Sequence, residues 1–169
     1  MGYGVIVGPW TGRTVLTWKQ VEGGLIPKLS EALNIWQTGL GIQFQEVKAD
    51  SPHFTVKLVE RGKTSWSRPL NLLSLQKTDT LGTCLHEIGH LLGISHEQDR
   101  AELRQGFYTD GLGRNLLFGL EGANLRAPQL QNYDPHDPVS IMQYPENHYL
   151  AAVKPSMGDF ATAKAINGW

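Results

Sequence analysis

The sequence predicts an α+β fold in two lobes: a strand-rich first lobe over about 1–93 with two helices, and a largely irregular second lobe over about 94–169 with a closing helix. Three observations carry this expectation. Short alternating apolar runs dominate the first half. Two stretches with apolar residues at helical spacing lie among them. After Gly93, the spacing of Gly, Pro and Asn breaks every long pattern until the C-terminus. At 169 residues the simplest organisation is one domain with room for a real core.

Val15-Leu16-Thr17-Trp18 reads as the first strand, bounded by Gly and charged residues. Leu25, Leu29, Ala32, Leu33 and Trp36 recur at helical spacing, with Pro27 in the first turn and Gly39 just past the end. Ile42 to Val47 and Phe54 to Val59 alternate as strands, with Phe54, Val56 and Leu58 on one side of the sheet. Thr64 to Arg68 and Asn71 to Leu75 are shorter strands split by Pro69. Asp79 or Thr78 caps the next helix. Asn115 to Leu120 is a short helix. Ser156 with Asp159 makes a capping box for a closing helix that runs to Asn167 and stops at Gly168.

The second helix carries the chemistry. Its run from His86 to Glu97 reads H-E-x-x-H-x-x-G-x-x-H-E. At 100° per residue, His90 lies about 40° round from His86 and one turn further on, so both imidazoles reach one ion. Glu87 lies about 100° from His86, beside that ion but not on it. Gly93 can stop the helix in a left-handed conformation, and His96 then returns as a third ligand. Leu81, Cys84, Leu85, Ile88, Leu91 and Leu92 fall on the opposite face, which suits a core. A bare H-E-x-x-H occurs on ordinary surface helices; the third His at its offset, with the Gly between, is what makes this run specific. Three neutral nitrogen ligands leave a zinc position open, and Glu87 beside it equips the site to hydrolyse a peptide bond with metal-activated water. A non-catalytic metal site and a zinc hydrolase acting on non-peptide amides are the competing readings.

The run and its surroundings resemble the astacin family of metzincin metalloproteases, as a short and divergent member. Glu97 follows the third His in His96-Glu97-Gln98-Asp99-Arg100, and Ser140-Ile141-Met142-Gln143-Tyr144 looks like the family's Met-turn. The tail from Pro155 is similar to its closing helix, and a fainter similarity covers Ala32, Trp36, Thr38, Gly39, Ile42 and Phe44. The resemblance implies a twisted mixed β-sheet with two helices in the first lobe and a zinc endopeptidase activity on protein or peptide substrates. It implies one catalytic zinc on His86, His90 and His96, with Glu87 as general base and then acid. Met142 would floor the site, and Tyr144 would be a switchable fifth ligand that also stabilises the oxyanion. Glu97 would receive a new N-terminus after a pro-segment is cut. Thr64, Ser65, Trp66, Ser67 and Arg68 would form the edge strand that pairs with substrate. Gln143 departs from the family's usual His, and the four cysteines typical of animal members are here a single one.

A formal net charge of −1 gives no case for nucleic acid or an anionic membrane as partner. No apolar run approaches membrane-spanning length. The expectation is a secreted or extracytoplasmic monomer, restrained by a pro-segment or an inhibitor, although neither a signal peptide nor a pro-segment is visible at the N-terminus. Cys84 sits in the apolar stripe and reads as a buried structural thiol. His53, His136 and His148 lack ligand spacing and read as surface or hydrogen-bonded residues. Arg61, Arg68, Arg104 and Arg126 could each favour an acidic substrate side chain, and nothing in the sequence selects among them.

Overall fold

The structure is a computed structural model that describes residues 3–5, 8–97, 130–132, 136–143 and 150–169. Five strands form one sheet: β2 (Val15–Glu22), β3 (Gln43–Glu46), β4 (Phe54–Leu58), β5 (Ser65–Ser67) and β6 (Leu72–Leu75). Their order is β3-β2-β4-β6-β5, parallel throughout except for β5, which runs antiparallel at one edge. Pairing of Leu16 with Phe44, Trp18 with Phe54, Val56 with Leu73 and Trp66 with Leu73 gathers the apolar side chains on one face. Thr17, Lys19, Thr55, Lys57 and Ser74 alternate onto the other face and stay half-buried. The expected mixed sheet with two helices is therefore present.

Helix α1 (Leu29–Leu40) and helix α2 (Leu81–Leu91) pack against one another and onto the sheet. Leu29, Ala32, Leu33, Trp36 and Leu40 are the buried stripe of α1. This helix starts later and ends later than its sequence pattern indicates. Gly41, at φ 74°, is the stop, while Gly39 lies inside the helix. A Cβ on Gly39 would overlap the ring of Phe160, so this glycine answers to packing and not to termination. Strand β2 also runs four residues beyond Trp18, because its polar second half pairs with β4. Thr80 caps α2 by accepting from Thr83 N, which corrects the expectation of Asp79 or Thr78. Asp79 instead accepts from Thr64 Oγ1 and from Gln76 N, tying the approach of β5 to the foot of α2.

The closing helix α3 (Met157–Asn167) has the expected capping box of Ser156 and Asp159 and stops at Gly168, φ 71°. Its last residue does more. Asn167 is buried and donates through Nδ2 to Leu92 O, while its Oδ1 accepts from Trp10 N. Trp10 Nε1 in turn donates to Leu91 O at 2.8 Å. Carbonyls left without partners at the end of α2 are thus satisfied by side chains from both ends of the chain. A short strand β1 (Tyr3–Val5) pairs antiparallel with β7 (Leu130–Asn132), a contact with no signal in the sequence. The short helix expected at Asn115 to Leu120 lies outside the described residues.

Candidate metal centre

The apolar face of α2 fixes the aim of its polar one. Cys84, Leu85, Ile88, Leu91 and Leu92 are fully buried, and burial pushes the Cys84 thiol up to about 12, far from any metal-ligating thiolate. Trp36 Nε1 donates to Leu85 O at 3.0 Å and anchors the helix from the α1 side. His86 and His90 then project from the remaining face. Gly93 follows the helix at φ 98°, in the left-handed region expected of it, and the chain turns back to bring in His96.

Hydrogen bonds decide which ring nitrogens are available. His86 Nδ1 lies 2.7 Å from Ile141 O, and His90 Nδ1 lies 2.9 Å from Ile94 O. A carbonyl only accepts, so each Nδ1 carries the proton and each Nε2 presents a lone pair. Those lone pairs converge: His90 Nε2 is 2.9 Å from His96 Nε2, and His96 Nε2 is 3.3 Å from His86 Nε2. Zinc–nitrogen bonds of about 2.1 Å at tetrahedral angles would hold nitrogens about 3.4 Å apart, close to this spacing. Burial, and then the neighbouring imidazoles, lower the His86 pKa well below its ordinary value and bring His90 down to about 3. Both rings are therefore held in the neutral form that ligates a metal. His86, His90 and His96 are the group of three among the described residues that could hold a metal ion.

Glu87 sits half-buried next to this cluster. Burial pushes its carboxyl up to about 7, with the charge of Asp79 adding, while a hydrogen bond from the Trp66 backbone and the charge of Lys63 pull the other way. A carboxylate of that basicity is suited to taking and returning a proton near neutral pH. Trp66 lies on β5, the edge strand of the sheet among the described residues, so that edge runs beside Glu87. The strand comprises Ser65, Trp66 and Ser67; Thr64 precedes it, bound to Asp79, and Arg68 follows it, exposed.

Beneath the histidines lies the turn from His136 to Gln143. Met142 is fully buried, and a Cβ placed on Gly89 would come within 2.6 Å of Met142 Sδ. Only glycine lets α2 settle this closely on the turn. Glu97 is buried, takes Asp137 N–H on Oε2 at 3.2 Å and donates its own N–H to Met142 O at 3.1 Å. Its expected contact with an N-terminus concerns residues outside the described ones. Tyr144 also lies outside them, as does His148. His136 Nε2 is 2.8 Å from Gln143 Oε1, and His53 Nδ1 accepts from Thr17 N, so both histidines are hydrogen-bonded away from the metal cluster. Two residues take a part in the site that the sequence reading did not assign them: Ser140, there only the first residue of the Met-turn, and Asp159, there only a helix cap, hold the turn through buried hydrogen bonds. The Ser156–Asp159 spacing announces a helix cap and nothing about the turn.

The family profile described as Astacin, a peptidase family, matches residues 17–162. Zinc metalloproteinase nas-25 of Caenorhabditis elegans is 31% identical over 125 residues, which is 68% of this chain and 30% of that protein. The chain thus spans less than a third of that relative. Among solved structures, myroilysin superposes with a TM-score of 0.64 at 18% identity, over 99% of both chains. High choriolytic enzyme 1, a hatching-enzyme zinc protease from Oryzias latipes (Medaka fish), superposes at 0.58 with 14% identity, over 95% of this chain and 94% of that one.

Proposed function

This chain belongs to the astacin family, and on that premise we propose that it is a zinc-dependent endopeptidase acting on protein or peptide substrates. The observation that carries the reading is the convergence of three Nε2 atoms, two of them with their tautomer fixed through Nδ1, beside a carboxylate with a pKa of about 7. His86, His90 and His96 hold the ion. When bound, zinc supplies a Lewis acid that polarises the scissile carbonyl and brings the pKa of water towards ~7.

The protein's own residues do the rest. Glu87 removes the proton from the attacking water and later returns it to the leaving amine, with no covalent intermediate. Met142 keeps the floor of the site apolar. The open edge at Ser65, Trp66 and Ser67 pairs with an extended substrate through main-chain hydrogen bonds. Thr64 and Arg68 flank that strand, Tyr144 supports the developing oxyanion, and Glu97 braces the turn and accepts a mature N-terminus. The cleft falls at the boundary between residues before and after Gly93. A monomer outside the cytoplasm, restrained by a pro-segment or inhibitor, completes the proposal on family resemblance.

The test is cleavage of unfolded casein by wild type and Glu87→Gln, with chelator and zinc add-back and the cut sites read by mass spectrometry. Wild type should cleave, lose activity with chelator and regain it with zinc, while Glu87→Gln binds zinc and cleaves at least about 100-fold more slowly. Zinc binding without cleavage by wild type would instead support an inactive zinc-binding module, and cleavage by Glu87→Gln at the wild-type rate would remove the general base.

A further inference from the structure

A buried carboxylate lies at the end of a chain of hydrogen bonds that begins on a ligand ring. His86 Nδ1 donates to Ile141 O at 2.7 Å. The same peptide unit's N–H, on Met142, donates to Ser140 Oγ at 2.9 Å. Ser140 Oγ donates to Asp159 Oδ1 at 2.5 Å. Ser140 already accepts from Met142, so its own proton is the one that points at Asp159. All three donations therefore run in one sense, from the imidazole toward the carboxylate. Hydrogen bonds aligned in this way polarise one another in a low-dielectric interior. Ser140, Met142 and Asp159 are all at most 1% exposed, so water does not interrupt the chain.

We propose that Asp159 and Ser140 are positioning residues for the metal centre, orienting the His86 ring and raising the basicity of its Nε2 through the Ile141–Met142 peptide unit. The proposal rests on His86 being a zinc ligand. It is the carboxylate–histidine–metal arrangement with a hydroxyl and a peptide inserted between carboxylate and imidazole. A plain capping role does not account for the geometry. The capping box needs only Ser156 and Asp159, which exchange their bonds locally. Asp159 Oδ2 accepts from Ser156 N at 2.8 Å and from Ile141 N at 3.1 Å, leaving Oδ1 directed at Ser140. One oxygen thus serves both the helix cap and the backbone of the turn, and the other serves the relay.

Three variants separate the roles. Ser140→Ala breaks the relay and leaves the cap. Asp159→Asn keeps an acceptor for the backbone N–H groups and removes the charge. Ser156→Ala removes the cap's hydroxyl together with its bond to Asp137 Oδ2, and leaves the relay through Ser140. The readouts are the zinc dissociation constant by chelator competition, the absorption spectrum of the cobalt-substituted protein and the 15N shift of His86 Nδ1 in the metal-free protein. Ser140→Ala and Asp159→Asn should each weaken zinc binding by about 10-fold, at the lower end of the range for such outer partners, and should shift both spectra. Ser156→Ala should lower the melting temperature while leaving zinc affinity and spectra as in wild type. Should Ser140→Ala not fold, Asp159→Asn carries the same expectation. Folded relay variants with wild-type affinity and spectra would overturn the proposal, as would an equal loss of affinity in Ser156→Ala. A wild-type protein that takes up no zinc would sink the peptidase reading itself, and this proposal with it.

Discussion

Helix α2 and the turn from His136 to Gln143 meet at one site but are held by different physics. On α2 the important positions follow from a 3.6-residue repeat: two histidines one turn apart, a carboxylate between them and an apolar stripe behind. The turn has no repeat. It is placed by bonds that span the sequence, 55 residues from Ile141 to His86, 40 from Asp137 to Glu97, and 19 and 18 from Ser140 and Ile141 to Asp159. A helix can present ligands in roughly the right place by itself. The final orientation of His86 is supplied by a segment that is tied in place by these distant bonds.

This contrast can be broken at several points. The largest effect should come from the helix side: Glu87→Gln should lower the rate of peptide cleavage by about 10²- to 10⁴-fold with zinc content unchanged, checked by kinetics and metal analysis on the same sample. The seam between the regions comes next. Gly89→Ala gains about 1 kcal/mol in helix propensity but overpacks against Met142, for a net loss of about 1–2 kcal/mol in urea unfolding. In a Met142→Ala background the same change should be neutral or stabilising, and a penalty that persists there would mean that the two residues are not in contact.

Smaller effects should stay on one side. Thr80→Ala removes the hydroxyl that accepts from Thr83 N and should cost about 1 kcal/mol, with zinc affinity unaltered because the ligands lie further along the helix. The smallest concerns Cys84. With its thiol buried and pushed up to about 12, it should react with a thiol reagent in native protein only as fast as the protein opens. Rapid labelling would show that the apolar face of α2 is not the core face.

The same contrast explains what was legible in the sequence. The ligand spacing, the positions along the chain of the strands between Val15 and Leu75 and the closing helix with its Gly168 stop are local patterns, and they were readable as such. Where local signals failed, a distant partner was responsible. Gly39 looks like a helix stop but is there to admit Phe160. Asp79 looks like a cap but serves Thr64 and Gln76. Strand β1 has three residues and a partner across the chain at Leu130 to Asn132, too short for any period to show. Asp159 was visible as a helix cap because its bond to Ser156 is local, and invisible as the anchor of the turn because Ser140 is not. The role of Met142 was accessible only through family resemblance, since a buried methionine has no signature of its own.

The measurement that bears most directly on the account is anomalous diffraction at the zinc edge from zinc-loaded crystals of the Glu87→Gln protein. The account expects one strong peak within bonding distance of His86 Nε2, His90 Nε2 and His96 Nε2, with His86 Nδ1 still on Ile141 O. A peak bound through Nδ1, a peak elsewhere or no peak at saturating zinc would contradict it.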